Sequence, residues 1–238
     1  MTAAGEESEM KRIGLLGGMS WESTVTYYQM INEAVKRRLG GLHSAELVLY
    51  SVDFAEIEKC QAEGDWERSG EILGEAAAAL ERAGAEMILI CTNTMHKVAP
   101  QIQANIQVPL VHIAEATADE LNRRGIRRAA LLGTKYTMTQ DFYKAKLVDA
   151  GIEVLVPDEA DMETVNDVIY QELCLGEIRA ESKEKFLAII RRLESQGAEG
   201  VILGCTEIGL LVKQEDVELP VFDTTLIHGE KAVEMALE

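Results

Sequence analysis

Short apolar runs alternate with longer amphipathic stretches along most of the chain. The runs are rich in Val, Ile and Leu and lack the every-second-residue alternation of a half-exposed strand, which favours strands buried on both faces of a parallel sheet. Glycines such as Gly84, Gly125 and Gly197 close the amphipathic stretches, as helix ends require. The predicted strands are 11–17, 46–52, 86–91, 108–113, 127–133, 152–156, 199–205 and 219–223. The predicted helices are 22–39, 66–83, 95–105, 114–124, 139–150, 161–175, 181–196 and 226–237.

The two halves of the chain repeat the same order of elements. RIGLLG at 12–17 resembles RAALLG at 128–133, an offset of 116 residues, and VPLV at 108–111 resembles LPVF at 219–222, an offset of 111. Two more apolar runs, each preceded by Gly-Ala-Glu, end at Cys91 and Cys205, which are 114 residues apart. Similar offsets indicate a duplicated α/β unit. The predicted fold class is α/β, with two similar domains related by a pseudo-twofold axis, each a parallel sheet of about four strands flanked by helices.

The composition excludes several classes of function. A net charge of −18 disfavours nonspecific binding to nucleic acid or an anionic membrane. No apolar stretch approaches the roughly 20 residues of a membrane span. The first ten residues are polar and acidic and are predicted to be a disordered tail, not a signal peptide. Four cysteines without paired spacing fit free thiols in a reducing cytoplasm, and the absence of Cys-x-x-Cys and His-Glu-x-x-His leaves a zinc site with little support.

The two matched cysteines are the main candidates for catalysis. Ligands of open parallel sheets bind beyond the carboxyl ends of the strands, where Cys91 and Cys205 are both predicted to lie. A thiolate and a thiol that face each other across a cleft can remove a proton from one side of a carbon atom and return it on the other. A cysteine that ends a buried strand is more often an apolar filler. Two in matching positions, each followed by threonine, favour the catalytic hypothesis. Cys60 and Cys174 lie in helical or loop settings away from the strand ends and are expected to be structural.

Hydroxyl and amide groups follow the same strand ends. Such groups stabilise the negative charge that builds on a carboxylate when the neighbouring carbon loses a proton. Glu207 is expected either to raise the pKa of Cys205 or to cap the turn that follows it. His228 is expected near the site, with a structural hydrogen bond as the alternative. His96 is expected to orient a helix or approach the cleft, with a surface or capping role as the alternative. The candidate polar residues are Ser20, Thr92, Asn93, Thr94, Thr134 and Thr206.

Four segments resemble motifs of the aspartate/glutamate racemases. LLGGMSWEST at 15–24 resembles the opening motif, and DTTLIH at 223–228 resembles the closing segment. CTNTMH at 91–96 and GCTE at 204–207 resemble the two catalytic cysteine motifs. The resemblance is closest to the branch of broad-specificity amino-acid racemases.

The resemblance implies a racemase that needs no pyridoxal phosphate, metal or nucleotide and acts on a small-molecule amino acid. Cys91 and Cys205 would be the acid and the base. Glu207 and His228 are candidates for a supporting role. The family's C-terminal segment returns to the first domain, which gives predicted domains of 11–108 plus 219–238 and of 109–218, after the tail at 1–10. A homodimer is left open. The implied substrate-binding residues are Met19, Ser20, Gln61, Thr92, Asn93, Thr94, Thr134 and Thr206.

One departure from the family pattern bears on specificity. Aspartate-specific relatives hold the second carboxylate with cationic side chains, but no arginine lies at Ala45 or Glu46 and no lysine lies within 161–166. Burying an unpaired charge is costly, so a broad or neutral polar preference is expected. The alternatives are a maleate isomerase or malonate decarboxylase of the same superfamily, and a non-catalytic amino-acid-binding protein. Neither a decarboxylase nor a binding protein needs two thiols.

Overall fold

The computed structural model describes residues 10–238, so the predicted disordered tail lies outside the described residues except for Met10. Within this part of the chain, strands form two sheets of four, and every pairing is parallel. The first sheet has the order β2-β1-β3-β4 and the second the order β6-β5-β7-β8. This arrangement confirms the predicted fold class. The strands are β1 (Ile13–Gly17), β2 (Leu47–Ser51), β3 (Met87–Ile90), β4 (Leu110–Val111), β5 (Arg128–Gly133), β6 (Glu153–Leu155), β7 (Gly200–Gly204) and β8 (Val221–Asp223).

Helices connect the strands. In the first half they are α1 (Trp21–Leu39), α2 (Phe54–Glu63), α3 (Trp66–Arg82), α4 (Ala99–Gln103) and α5 (Ile113–Arg123). In the second half they are α6 (Lys135–Thr139), α7 (Asp141–Asp149), α8 (Glu159–Gln171), α9 (Ala180–Ser195), α10 (Ile208–Leu211) and α11 (Thr224–Leu237). Short 3₁₀ turns lie at Thr94–Val98, Leu173–Leu175 and Gln214–Asp216. None of the described helices has the length and apolar character needed to cross a bilayer.

Helix α2 is absent from the sequence prediction. The Asp53 side chain accepts a hydrogen bond from the Ala55 N–H at its start, and Gly64 ends it with a φ of 73°. Both are ordinary helix-end signals, an acidic N-cap and a left-handed glycine. The helix is only ten residues long and buries just Ile57, Cys60 and Gln61. A stripe this narrow gives a weak periodic signal.

Each sheet is covered by helices on both faces. On β3, Ile88 and Ile90 pack toward α3, whereas Met87 and Leu89 pack toward α1 and α11. Strand β7 behaves alike, with alternate residues directed toward α8 and α9 or toward α5 and α7. All residues of β1, β3 and β7 are buried, which accounts for their continuous apolar runs.

Two helices cross from one sheet to the other. Helix α5 follows β4 but packs Ile113 into the core of the second sheet, and α11 follows β8 but packs Val233 into the core of the first. The strands before them do not cross, because β4 hydrogen-bonds to β3 and β8 hydrogen-bonds to β7. The predicted domain limits at 109 and 219 group β4 with the second half and β8 with the first. The observed pairing places β4 in the first sheet and β8 in the second. The division into domains itself stays a prediction.

Candidate active site

A small cavity lies between the two halves, beyond the carboxyl ends of the central strands. Its volume of about 20 Å³ has room for about one water molecule. An amino acid is several times larger, so the cleft must open before such a ligand can bind. The cavity is lined by Met19, Ser20, Phe54, Gln61, Thr92, Asn93, Thr94, Thr134, Ile169, Tyr170, Cys174, Gly204, Cys205 and Glu207.

Most of the residues predicted for the site meet at this cavity. Thr206 lies just behind the wall, where its hydroxyl bonds to Glu207. Cys91 and His228 do not line the cavity. The predicted residues that do are Met19, Ser20, Gln61, Thr92, Asn93, Thr94, Thr134, Cys205 and Glu207.

Cys91 is placed in the core of the first half, which corrects the expectation that two sulfurs face one cleft. It has 0% of its surface exposed and packs with Leu89 and Tyr27 on the face of the sheet covered by α1 and α11. The physical reason is strand alternation: Cys91 continues the face of Leu89, and the next residue, Thr92, turns to the opposite side. Burial raises the pKa of the Cys91 thiol.

The register of the central strands explains this placement. Leu16 pairs with Ile90 in the first sheet, and the equivalent Leu132 pairs with Leu203 in the second. Ile90 therefore corresponds to Leu203, an offset of 113, and two residues further along Thr92 corresponds to Cys205. The Gly-Ala-Glu triplets at 84–86 and 197–199 have the same offset of 113, whereas the cysteines are 114 apart. Because the triplets share the offset of the paired strands, their spacing already indicates that Cys91 and Cys205 do not occupy equivalent positions.

A buried carboxylate anchors the second half of the site. Glu207, 4% exposed, accepts hydrogen bonds at Oε2 from the Cys205 thiol at 3.0 Å and the Thr206 hydroxyl at 2.7 Å. Its Oε1 accepts from Ser20 at 2.9 Å and Ser23 at 2.6 Å, both from the first half. All four donors are neutral groups. A charged partner such as an ammonium group would therefore be favourable beside Glu207.

Cys205 rests as a thiol. Desolvation by burial raises its pKa well above the ordinary value, and the negative charge of Glu207 raises it further. A protonated Sγ is an acid that is ready to donate. Its bond to Glu207 also provides a route by which the proton can leave.

Two further hydrogen bonds cross the closed cleft. The Thr94 and Thr134 hydroxyls lie 3.1 Å apart, and the Tyr136 hydroxyl donates to the Gln61 carbonyl at 3.3 Å. Opening of the cleft would free these groups from one another and Ser20 from Glu207. They would then be available to a ligand that enters.

Asn93 presents an unused acceptor. Its Nδ2 donates to the Thr224 hydroxyl at 3.1 Å, but its buried Oδ1 has no hydrogen-bond partner. Buried polar atoms are nearly always paired in native proteins, so a donor inside the cavity, from water or from a ligand, is the expected partner.

His228 has a structural place behind the site. Its Nε2 lies 2.7 Å from the Val111 carbonyl, and its Nδ1 lies 2.8 Å from the Tyr27 hydroxyl. Burial lowers the pKa of His228 to about 3, so the ring is neutral near pH 7. Its bonds favour the structural alternative that the sequence left open.

Five cavity residues were missed from the sequence as site residues: Phe54, Ile169, Tyr170, Cys174 and Gly204. Cys174, which the sequence predicts to be structural, lines the cavity, and burial is the main cause that raises the pKa of its thiol to about 12. The repeat offered a signal. Helix α8 follows β6 as α2 follows β2, so the Gln61 side of α2 has a counterpart on α8. Within the described residues, no group of three or more His, Cys, Asp and Glu side chains could hold a metal ion.

Comparison with known proteins places the chain in a family. The family model of Asp/Glu/Hydantoin racemases matches residues 16–232. The chain belongs to this family. The broad-specificity amino-acid racemase RacX of Bacillus subtilis is 24% identical over 234 residues, which cover 93% of this chain and 96% of RacX.

Solved structures of the family agree with this assignment. An aspartate racemase homologue from Pyrococcus horikoshii is 44% identical, with a TM-score of 0.85 over 96% of this chain and 100% of its own. A Yersinia pestis protein provisionally assigned as an Asp/Glu racemase is 55% identical, with a TM-score of 0.91 over 96% of this chain and 100% of its own. Family and relatives support an isomerase of the racemase type.

Proposed function

We propose that this Asp/Glu/Hydantoin racemase family member racemises an α-amino acid without a cofactor, and that Cys205 exchanges the α-proton. The observation that carries the proposal is the cavity itself. It holds the Cys205 thiol, which donates a hydrogen bond to the Glu207 carboxylate at 3.0 Å, together with the unpaired acceptor oxygen of Asn93. The thiol can exchange the proton of the α-carbon of an amino acid, and the carboxylate and the acceptor oxygen can bind its ammonium group.

The polar lining suits both backbone groups of an amino acid. The ammonium would donate a hydrogen bond to Asn93 Oδ1 and form an ion pair with the Glu207 carboxylate. The carboxylate would accept from the Ser20, Thr94 and Thr134 hydroxyls, which bond to protein partners while the cleft is closed. Substrate binding thus exchanges hydrogen bonds across the cleft for hydrogen bonds to the ligand. The negative charge that builds on the carboxylate during proton removal would be stabilised by the same donors.

Cys205 and Glu207 would work as a pair. To act as a base, Cys205 passes its Sγ proton to Glu207 Oε2, and the thiolate then takes the α-hydrogen as a proton. The C–H electron pair remains on the substrate, delocalised into its carboxylate. To act as an acid, the thiol returns a proton to the carbanion. In the acid step, the ammonium stabilises the thiolate that is left on Cys205, because it offsets the charge of Glu207.

Thr92 would serve the opposite face of the α-carbon. The two-cysteine hypothesis needs Cys91 at the cavity, whereas the register gives that place to Thr92. A hydroxyl is a much weaker acid than a thiol, so proton delivery from the Thr92 side would be the slow step. The site therefore combines one efficient and one inefficient proton donor.

We infer a broad side-chain preference. Glu207 is acidic, and the residues that line the cavity include no lysine or arginine that could hold a second carboxylate. Lys135 lines an adjoining pocket with Gln61, but it is paired with Glu163. A catalytic free thiol also suits a reducing compartment such as the cytoplasm.

Racemisation should be assayed first, by loss of optical rotation with single enantiomers of the common amino acids. We expect activity after dialysis against a chelator and without added pyridoxal phosphate. Cys205→Ser should abolish it, because the variant has only a hydroxyl on each face of the α-carbon and no thiol to exchange the proton efficiently. Cys91→Ser is the matched control and should retain turnover. Loss of activity in Cys91→Ser without loss of folding would restore the two-cysteine mechanism. A binding protein would show no turnover with any amino acid.

Deuterium exchange tests the asymmetry of the site. In D₂O, the enantiomer whose α-hydrogen faces Cys205 should exchange it faster than it racemises. Its mirror image should exchange and racemise at similar rates. Equal behaviour of both enantiomers would contradict a single efficient thiol.

A further inference from the structure

We propose that His96 is a positioning residue that fixes the loop 92–94 for turnover. This inference rests on the proposed function, because the loop supplies Thr92 and Asn93 to the cavity. His96 itself does not line that cavity. Its effect passes through the backbone of the loop.

The His96 ring bridges two segments that are distant in sequence. It is 1% exposed and lies in the 3₁₀ turn Thr94–Val98. Its Nδ1 lies 2.8 Å from the Thr92 carbonyl oxygen, and its Nε2 accepts a hydrogen bond from the Ile113 N–H at 3.2 Å. Ile113 is the first residue of α5 and packs in the core of the second sheet. The ring therefore anchors a loop of the first sheet to an element of the second.

The partners of the ring fix its protonation. A carbonyl oxygen only accepts, so Nδ1 carries the hydrogen, and a backbone N–H only donates, so Nε2 is bare. Burial lowers the pKa of His96 well below its ordinary value, and His112 and His228 lower it further. The neutral form with hydrogen on Nδ1 is thus the form present near pH 7.

The hydrogen bond to the Thr92 carbonyl holds a peptide unit that lies between two residues of the cavity lining. The Thr92 carbonyl belongs to the peptide unit that joins Thr92 to Asn93. Holding that unit fixes the directions of the Thr92 and Asn93 side chains, both of which line the cavity. Misplacement of a reacting group by about 1 Å can cost on the order of 100-fold in rate.

Two amide variants of His96 test the two hydrogen bonds of the ring one at a time. His96→Asn places an amide N–H near the position of Nδ1 and keeps the donor to Thr92. His96→Gln places its amide near the position of Nε2 and keeps only the acceptor for Ile113. We expect His96→Gln to lower kcat on the order of 100-fold with KM changed less than about threefold. His96→Asn should retain kcat within about tenfold, although it leaves the Ile113 N–H unpaired.

A purely structural histidine would behave differently. Equal losses of kcat in the two amide variants, in step with their losses of thermal stability, would overturn the proposal. His112→Asn is the control, since His112 caps α5 through the Ala114 N–H and asparagine is a good N-cap. It should leave kcat unchanged.

Chemical rescue gives a second test. A pocket of about 510 Å³ lies behind the ring, lined in part by Pro100, His112 and Phe142. Imidazole can diffuse through it into the space left by His96→Gly. Added imidazole should restore kcat, whereas 1-methylimidazole, which cannot donate and accept at once, should not. Rescue by both or by neither would count against the hydrogen-bond role.

Amide hydrogen exchange separates this inference from the proposed function. Backbone amides of residues 93–94 should exchange faster in His96→Gln than in the wild type or His96→Asn, whatever substrate the enzyme takes. Unchanged exchange would refute the positioning role. A wild-type protein without turnover on any amino acid would instead refute the proposed function.

Discussion

His228→Gln should reduce the acid sensitivity of the fold. Burial lowers the pKa of His228 to about 3, whereas an unfolded histidine has a pKa of about 6.5. A depressed pKa stabilises the fold fully above pH 6.5, and this stabilisation is lost as the pH falls toward 3. Between pH 7 and pH 5 the unfolded chain gains most of one proton at this histidine and the native chain gains almost none. That difference costs about 2 kcal/mol of unfolding free energy.

The measurement is urea unfolding followed by circular dichroism at pH 7 and pH 5. Glutamine can keep the bond from its amide nitrogen to the Val111 carbonyl, so the variant should fold. Its free energy of unfolding should fall by about 2 kcal/mol less than the wild type's over this pH range. His112, with a pKa lowered to about 4 mainly by burial, titrates in the same direction and remains in both proteins. An identical pH dependence in the two proteins would mean that His228 is not held neutral by the fold.

Three other outcomes are expected. Thr92→Cys should raise the racemisation rate and remove the difference between enantiomers in deuterium exchange, because it supplies a second thiol. Gly18→Ala should lower the free energy of unfolding by more than about 2 kcal/mol, since Gly18 has a φ of 91° and a Cβ would lie 2.3 Å from the Val52 carbonyl; thermal unfolding would measure it. Stability should also fall as the pH rises above about 8.5, because the raised pKa values of Cys91 and Cys205 favour thiols in the native state while the unfolded chain ionises. A flat stability between pH 8 and pH 10 would contradict this.

The fold was predictable from the sequence because its central strands are buried on both faces. Runs such as 87–91 and 201–205 have few other stable places than the middle of a parallel sheet. The polar groups at strand ends, among them Ser20 and Thr134, could be placed for the same reason. Sequence distance alone did not decide which side of β3 a residue faces, and a shift of one residue moves a side chain to the other face. Cys91 was therefore misplaced.

The remaining site residues depend on tertiary packing. Tyr170 and Cys174 reach the cavity because α8 and the turn after it pack beside β7, and their local sequence resembles that of any amphipathic helix. Cys60 is the opposite case. It was expected to be structural, and it lies buried on α2 outside the cavity lining.

The crossing of α11 has a consequence for synthesis on the ribosome. The face of the first sheet that carries Leu15, Leu89 and Cys91 is covered in part by Ala232 and Val233. These residues emerge more than 100 positions after Val111 completes that sheet. At about 5–20 residues per second, the nascent sheet would wait on the order of 10 s with apolar surface uncovered. The first half of this protein should therefore finish folding only after the second half has been translated, and a chaperone that binds exposed apolar strands would have its best opportunity during that interval.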